Sequence, residues 1–219
     1  MPIVVIQDVF VELVVNPFIV MNTIGLIAFA FVGASKAIEA DFDVFGITIV
    51  GLAMAFAGGV TRDILVGRVP LALQTFSEIS LGLFGVGLAI GLHLIRSSPE
   101  THPITVVSDA IGLGAFATAG AIVATEAHIS VFGIIAIATI NAVGGGAFAD
   151  ILLDRAPFIL FEDFYASCAV LGGISYVFAG LLSLPDGTAA GLCAIVTIGI
   201  RLAAVSYNWE LPTVEELTG

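Results

Sequence analysis

Residues 44–70, VFGITIVGLAMAFAGGVTRDILVGRVP, return as residues 131–157, VFGIIAIATINAVGGGAFADILLDRAP, displaced by 87 positions. Gly58 falls on Gly145, Gly59 on Gly146, Asp63 on Asp150, Arg68 on Arg155 and Pro70 on Pro157. The correspondence reaches back without a gap to Ile24–Gly33 and Ile111–Gly120, and about half of the positions from Asn22 to Pro70 match their partners. A chain written this way is constrained to fold as two copies of one unit.

Composition fixes the solvent. Of the 219 residues 59% are hydrophobic and 11% charged, with a mean hydropathy of +1.15. A soluble domain carries about 25% charged residues, so the bilayer must cover most of this surface. Apolar runs able to cross about 30 Å of hydrocarbon lie near 18–38, 44–59, 74–95, 108–127, 131–148, 164–184 and 188–207. The expected fold is an all-α membrane protein of seven transmembrane helices forming a single membrane domain, 1–219. Repeat one is 18–96, repeat two 105–184, and a seventh helix, 187–208, lies outside the duplication. The third span of each copy, 74–95 and 161–182, matches least well.

Three spans per copy is an odd number, so the second copy enters the membrane from the opposite side and the repeats are inverted. Basic residues set the orientation. With the amino terminus outside and the carboxyl terminus cytoplasmic, Lys36, Arg96, Arg155 and Arg201 fall inside, and Arg62 and Arg68 outside. Tyr207 and Trp209 suit an interfacial anchor, with Arg201 reaching past them to the headgroups. The first 15 residues read as an amphipathic lead-in, interrupted by Asp8 and Glu12, with no basic region of the kind that opens a cleavable signal. The net charge of −12 argues against nucleic acid as a partner. Cys168 and Cys193 sit mid-span without metal-ligand spacing and read as free core cysteines.

Span two meets Gly58-Gly59, and span five Gly144-Gly145-Gly146. Each glycine costs a helix about 1 kcal/mol relative to alanine, so these clusters predict glycine-kinked second and fifth helices, broken near the midplane where their backbone lines a pore. Close helix packing is the alternative use of such small residues. Charge follows each cluster. Arg68 lies five residues after Asp63 and Arg155 five after Asp150, which suggests an ion pair closing the turn before the proline, or else direct ion contact. Arg62 is matched by Ala149 and reads as one unpaired arginine beside a hinge. Lys36 either snorkels or pairs with an internal carboxylate. Ser35, Thr61 and Asn141, with Ser108, Asp109 and Thr139, are candidate oxygen ligands along a path, although Ser and Thr in such helices commonly bond their own backbone. Glu39 and Glu126, partners in the repeat, stand at helix ends or pore mouths. His93, His102 and His128 show no metal spacing. No nucleophile elbow, His-Glu-x-x-His or phosphate loop occurs, so neither enzymatic activity nor a metal or other cofactor is expected.

The stretch Gly58-Gly59-Val60-Thr61-Arg62-Asp63-Ile64-Leu65-Val66-Gly67-Arg68-Val69-Pro70, recurring at the second position, resembles the prokaryotic members of the trimeric intracellular cation (TRIC) channel family. Those proteins are also catalogued as a duplicated membrane domain labelled glycine transporter. The resemblance implies a homotrimer in a prokaryotic cell membrane, each subunit with its own pore conducting monovalent cations such as potassium or sodium. Bound lipid is a further candidate partner. It also implies that Gly58, Gly59, Gly144, Gly145 and Gly146 bend helices two and five around that pore. Three positions depart from the family pattern: Ala57 for a third glycine, Ala149 for arginine and Asp154 for glycine. Inverted repeats also suit a secondary transporter of a small solute such as an amino acid.

Overall fold

The computed structural model describes residues 16–95, 103–160, 164–209 and 211. The amino-terminal lead-in, Arg96, His102 and the acidic carboxyl-terminal residues from Glu210 onward, Leu211 excepted, lie outside that range. Among the described residues seven α-helices follow in order: α1 Pro17–Glu39, α2 Val44–Leu65, α3 Phe76–Ile95, α4 Pro103–Glu126, α5 Val131–Leu152, α6 Ala166–Leu181 and α7 Asp186–Tyr207. Six are long and apolar enough to cross a membrane. The exception, α6, has 16 residues and spans about 24 Å at 1.5 Å per residue.

Local signals in the two copies are used in the same way. Asp43 caps α2 by accepting from Gly46 N at 2.7 Å, and Ser130, its counterpart, caps α5 by accepting from Gly133 N at 3.3 Å. The turn before each capped helix holds a left-handed residue, Asp41 at φ 56° and His128 at φ 54°. The turn after it holds Gly67 at φ 74° and Asp154 at φ 56°. The aspartate at 154 therefore adopts the conformation for which glycine serves in the first copy, as short polar side chains tolerate. A 3-10 turn then follows Pro70 at Leu71–Leu73 and Pro157 at Phe158–Leu160.

The copies are inverted. Gly25 of α1 lies under the ring of Phe116 in α4, and Gly112 of α4 lies under Phe29 in α1. Rising numbers on one helix thus meet falling numbers on the other, so equivalent helices run antiparallel. The two rings, themselves counterparts, meet edge to face with centroids 5.1 Å apart. The same exchange occurs between α2 and α5. A methyl group on Gly58 would strike the backbone carbonyl of Asn141, and one on Gly145 the carbonyl of Met54. Around this centre α3 packs chiefly on α1, whereas α6 packs chiefly on α7 and α5. Gly85 of α3 abuts Ile27 and Ala30 of α1, while its counterpart Gly172 abuts Cys193 and Thr197 of α7. The third spans, least alike in sequence, thus also differ in what they pack against. Cys168 and Cys193 are free and buried.

One expectation is corrected. Helices two and five are not broken: α2 runs through Gly58-Gly59 and α5 through Gly144-Gly145-Gly146 without interruption. Lipid offers no partner for freed amides and carbonyls, which favours keeping the ladder. The glycines remove side-chain bulk where two backbones touch. Added methyl groups have no free volume there, and overpacking of this kind costs about 1–3 kcal/mol. Gly58→Ala and Gly145→Ala should each lower thermal stability in detergent. Gly87→Ala, where nothing lies within 4 Å, should leave it unchanged or raise it. Equal melting temperatures for all three would contradict the close crossing.

Candidate functional site

Beyond the crossing, each copy buries an aspartate with the same second duty. Asp63 Oδ2 accepts from Leu71 N at 2.9 Å, and Asp150 Oδ2 accepts from Phe158 N at 3.0 Å. The donors are counterparts, so one carboxylate oxygen in each copy holds the 3-10 turn after the proline. The other oxygen takes a cation, and here the copies diverge. Asp63 Oδ1 accepts from Arg62 Nε at 2.9 Å and lies 2.8 Å from Arg62 Nη2. Asp150 Oδ1 accepts from Lys36 Nζ of α1 at 3.0 Å. The repeat counterparts of the two cations are apolar, Ala149 for Arg62 and Val123 for Lys36.

A second pair in each copy completes the clusters. Asn22 Nδ2 donates to both carboxylate oxygens of Glu78 at 3.2 and 3.0 Å. At the equivalent positions Tyr165 Oη donates to Asp109 Oδ1 at 3.0 Å. Asp109 also lies 3.8 Å from Arg201 Nε, whose guanidinium stands 4.6 Å from the centre of the Tyr165 ring. Because α2 and α5 are antiparallel, the Asp63 and Asp150 clusters lie toward opposite ends of the bundle. At the Asp63 end a cavity of about 620 Å³ opens among Phe18, Ile122, Glu126, His128, Tyr176 and Asp186. Its acidic rim favours cations over anions.

Several expected roles change. Arg62 is not unpaired; it is 1% exposed and its long side chain curls back onto the adjacent Asp63. Arg68 pairs with Glu126 at 3.3 Å on the surface, leaving the carboxylate of Asp63 to other partners. The repeated spacing of five is a backbone device instead: Arg68 N donates to Asp63 O and Arg155 N to Asp150 O, each at 2.8 Å. Arg201 turns inward to Asp109 and Tyr165 and does not reach for headgroups, while Trp209 packs edge to face on Phe164 at 5.4 Å. Ser35 and Thr61 donate to their own helices, to Phe31 O and Ala57 O at 2.8 Å, and Thr61 is exposed on the outside of the subunit. Asn141 is fully buried beside Gly58; its Nδ2 donates to Phe116 O at 2.6 Å and its Oδ1 has no partner among the described residues. Asn22, Glu78 and Tyr165 were not among the expected residues. The offset of 87 pairs Asn22 with Asp109 and Glu78 with Tyr165, and that register was the available signal.

A family model described as Glycine transporter matches residues 19–94 and again residues 106–180. The chain is similar to UPF0126 membrane protein YvgT of Bacillus subtilis, with 32% identity covering 88% of this chain and 94% of the relative. It is similar to UPF0126 inner membrane protein YadS of Escherichia coli, with 31% identity over 88% and 94% of the respective chains. Among solved structures, a TRIC cation channel studied for the structural basis of its conductance superposes with a TM-score of 0.81 at 33% identity, covering 89% of this chain and 95% of that one. A prokaryotic TRIC channel crystallised in 0.5 M KCl gives 0.79 at 31% identity, over 89% and 98%. The orthologue from Rhodobacter sphaeroides, a trimeric intracellular cation channel, gives 0.79 at 26%, over 88% and 98%.

Removing one member of a buried ion pair leaves an uncompensated charge and costs about 3–5 kcal/mol. Arg62→Met should therefore lower the melting temperature strongly. Lys36→Met should do so less, since that side chain is 22% exposed. Adding Asp63→Asn or Asp150→Asn to the respective variant should restore part of the loss. Strictly additive losses in both double variants would show that neither pair is coupled.

Proposed function

The chain belongs to the family described as Glycine transporter, with the fold of the TRIC cation channels, and from that premise we propose that it is a potassium-permeable, monovalent cation channel. The observation that carries this reading is the superposition on a TRIC cation channel over nearly the whole chain, TM-score 0.81 at 33% identity. The protein is an integral membrane protein. In our reading it assembles as a homotrimer, each subunit with a pore along α2 and α5, and it is a channel rather than an enzyme.

The geometry supports a path inside one subunit. Buried charge at membrane depth is costly and is kept where it is paired and functional. Here it gathers at both ends of the α2–α5 crossing, at Arg62 and Asp63 and at Lys36 and Asp150. Gly58, Gly59, Gly144, Gly145 and Gly146 give this path its narrowest point by bringing two backbones together. Asn141 stands at that point; Ser35 and Thr61 are weaker candidates because their hydroxyls are used within their helices. Arg68 and Arg155 belong to the turns that end α2 and α5. The acidic rim above the Asp63 cluster concentrates cations at one mouth. An amino terminus outside and a carboxyl terminus in the cytoplasm agree with four of the six basic residues. The permeating potassium or sodium is cargo, membrane lipid is the surrounding partner, and no cofactor enters the scheme.

A secondary transporter of a small solute is the second reading, favoured by the description of the matching family as Glycine transporter. Planar-bilayer recording of the purified protein under a tenfold KCl gradient separates the two. A cation channel gives single-channel steps reversing near the cation potential, about 59 mV for a monovalent ion. Absence of steps at every voltage, together with thermal stabilisation by glycine and its accumulation in vesicles, would instead establish the transporter.

A further inference from the structure

Two counterpart glycines look onto different chemistry. A methyl carbon placed on Gly59 would lie 3.8 Å from Arg62 Nη2 and 3.9 Å from Asn141 Oδ1. One placed on Gly146 would lie 2.8 Å from Phe158 Cε1, 3.3 Å from its Cζ and 3.9 Å from Met54 Cε. The register explains the contrast, because Met54 is the counterpart of Asn141 and Phe158 that of Leu71. The Gly59 side is suited to water. It holds a cavity of about 10 Å³ beside Asn22, Arg62, Asp63 and Glu78, room for about one molecule. Arg62 Nη1 and Asn141 Oδ1, both buried and without partners among the described residues, leave a donor and an acceptor unused on the two side chains that flank Gly59. On the Gly146 side the equivalent space is filled by an aromatic ring and a thioether methyl, which offer water nothing.

We propose that Phe158, backed by Met54, is the gate of the conduction path, an apolar constriction on one side of a crossing whose other side is wet. The proposal rests on the channel reading above. Such constrictions stop ions by excluding the water that ions carry. The ring is held from three directions. Its backbone N–H donates to Asp150 Oδ2 at 3.0 Å. Lys36 Nζ stands 4.6 Å from its centroid while pairing with Asp150 Oδ1 at 3.0 Å. Tyr165 meets it edge to face at 4.4 Å. Asp150 thus ties the lysine and the ring-bearing turn to one carboxylate, so withdrawal of Lys36 loosens both. The first copy has no such latch: Arg62 reaches its aspartate along its own helix, and Leu71 supplies no ring.

The test is single-channel recording of the full chain in planar bilayers in symmetric KCl. Phe158→Ala removes the plug, and Met54→Asn gives the closed side the amide that the open side has. Each should raise the open probability by about tenfold, the factor that corresponds to about 1.4 kcal/mol. Phe84→Ala, the loss of an exposed ring on α3, should match wild type. A conducting wild type with an unchanged Phe158→Ala overturns the gate and leaves the channel reading intact. If Phe158→Ala does not fold, Met54→Asn decides alone, rising under the proposal and unchanged if it is wrong. A silent wild type beside a conducting Phe158→Ala supports the gate. Silence in wild type, Phe158→Ala and Met54→Asn alike, with folded protein, overturns the channel reading itself.

Discussion

Backbone against backbone is the contact on which this molecule turns. At Gly58 and Gly145 the crossing helices α2 and α5 come so near that no side chain fits between each glycine and the opposite carbonyl. Small residues permit this approach, and in lipid, where the hydrophobic effect does not drive helices together, close packing is the main attraction left. The rest is arranged around that point. Phe29 and Phe116 meet edge to face on the same pseudo-two-fold axis. The two aspartates that anchor the post-proline turns stand at equal remove on either side. The crossing therefore sets both the inversion of the copies and the depth at which buried charge is carried.

The two halves share a frame and differ in what they hang on it. The caps, the left-handed turn residues, the 3-10 turns and the aspartate that binds each of them are common to both. The cation, the amide at the crossing and the residue over the outer glycine are not. In a symmetric frame such differences are where direction enters, since a path with identical halves could not tell one side of the membrane from the other. Here one side offers Asn141 and Arg62 and the other Met54 and Phe158.

Much of this was legible in the sequence, and the failures have physical causes. The membrane class, the seven helices, the inversion and the buried cysteines follow from hydropathy, an odd span count and the register of 87. Helix breaks at the glycines were misread because propensity treats glycine as a cost within one helix, whereas its benefit here lies in the neighbouring helix, which a linear reading does not see. The fate of Arg62 was missed because neighbouring residues on a helix diverge at Cβ; a side chain as long as arginine can still curl back, as Arg62 Nε does to Asp63. The sequence leaves Lys36 open between snorkelling and pairing because its partner stands 114 residues away. Glu78 and Tyr165 lay in the part of the repeat where identity fades, so only strict use of the register would have paired them.

That separation of Lys36 from Asp150 has a consequence for biogenesis. Arg62 and Asp63 are adjacent, so they leave the ribosome together and can enter the bilayer as a nearly neutral unit. Lys36 shares its helix end with Glu39, but the carboxylate that it pairs with, Asp150, lies far along the chain. At about 5–20 residues per second of synthesis, the 114 residues that divide it from its carboxylate take roughly 6–23 s to appear. For that interval the ammonium lacks the carboxylate that it meets in the folded chain, and that end of the first helix is held toward the headgroup region until α5 arrives. The first helix thus settles to its final depth only when the second copy is inserted, which makes the amino-terminal half a provisional structure and the fifth helix the step that completes it.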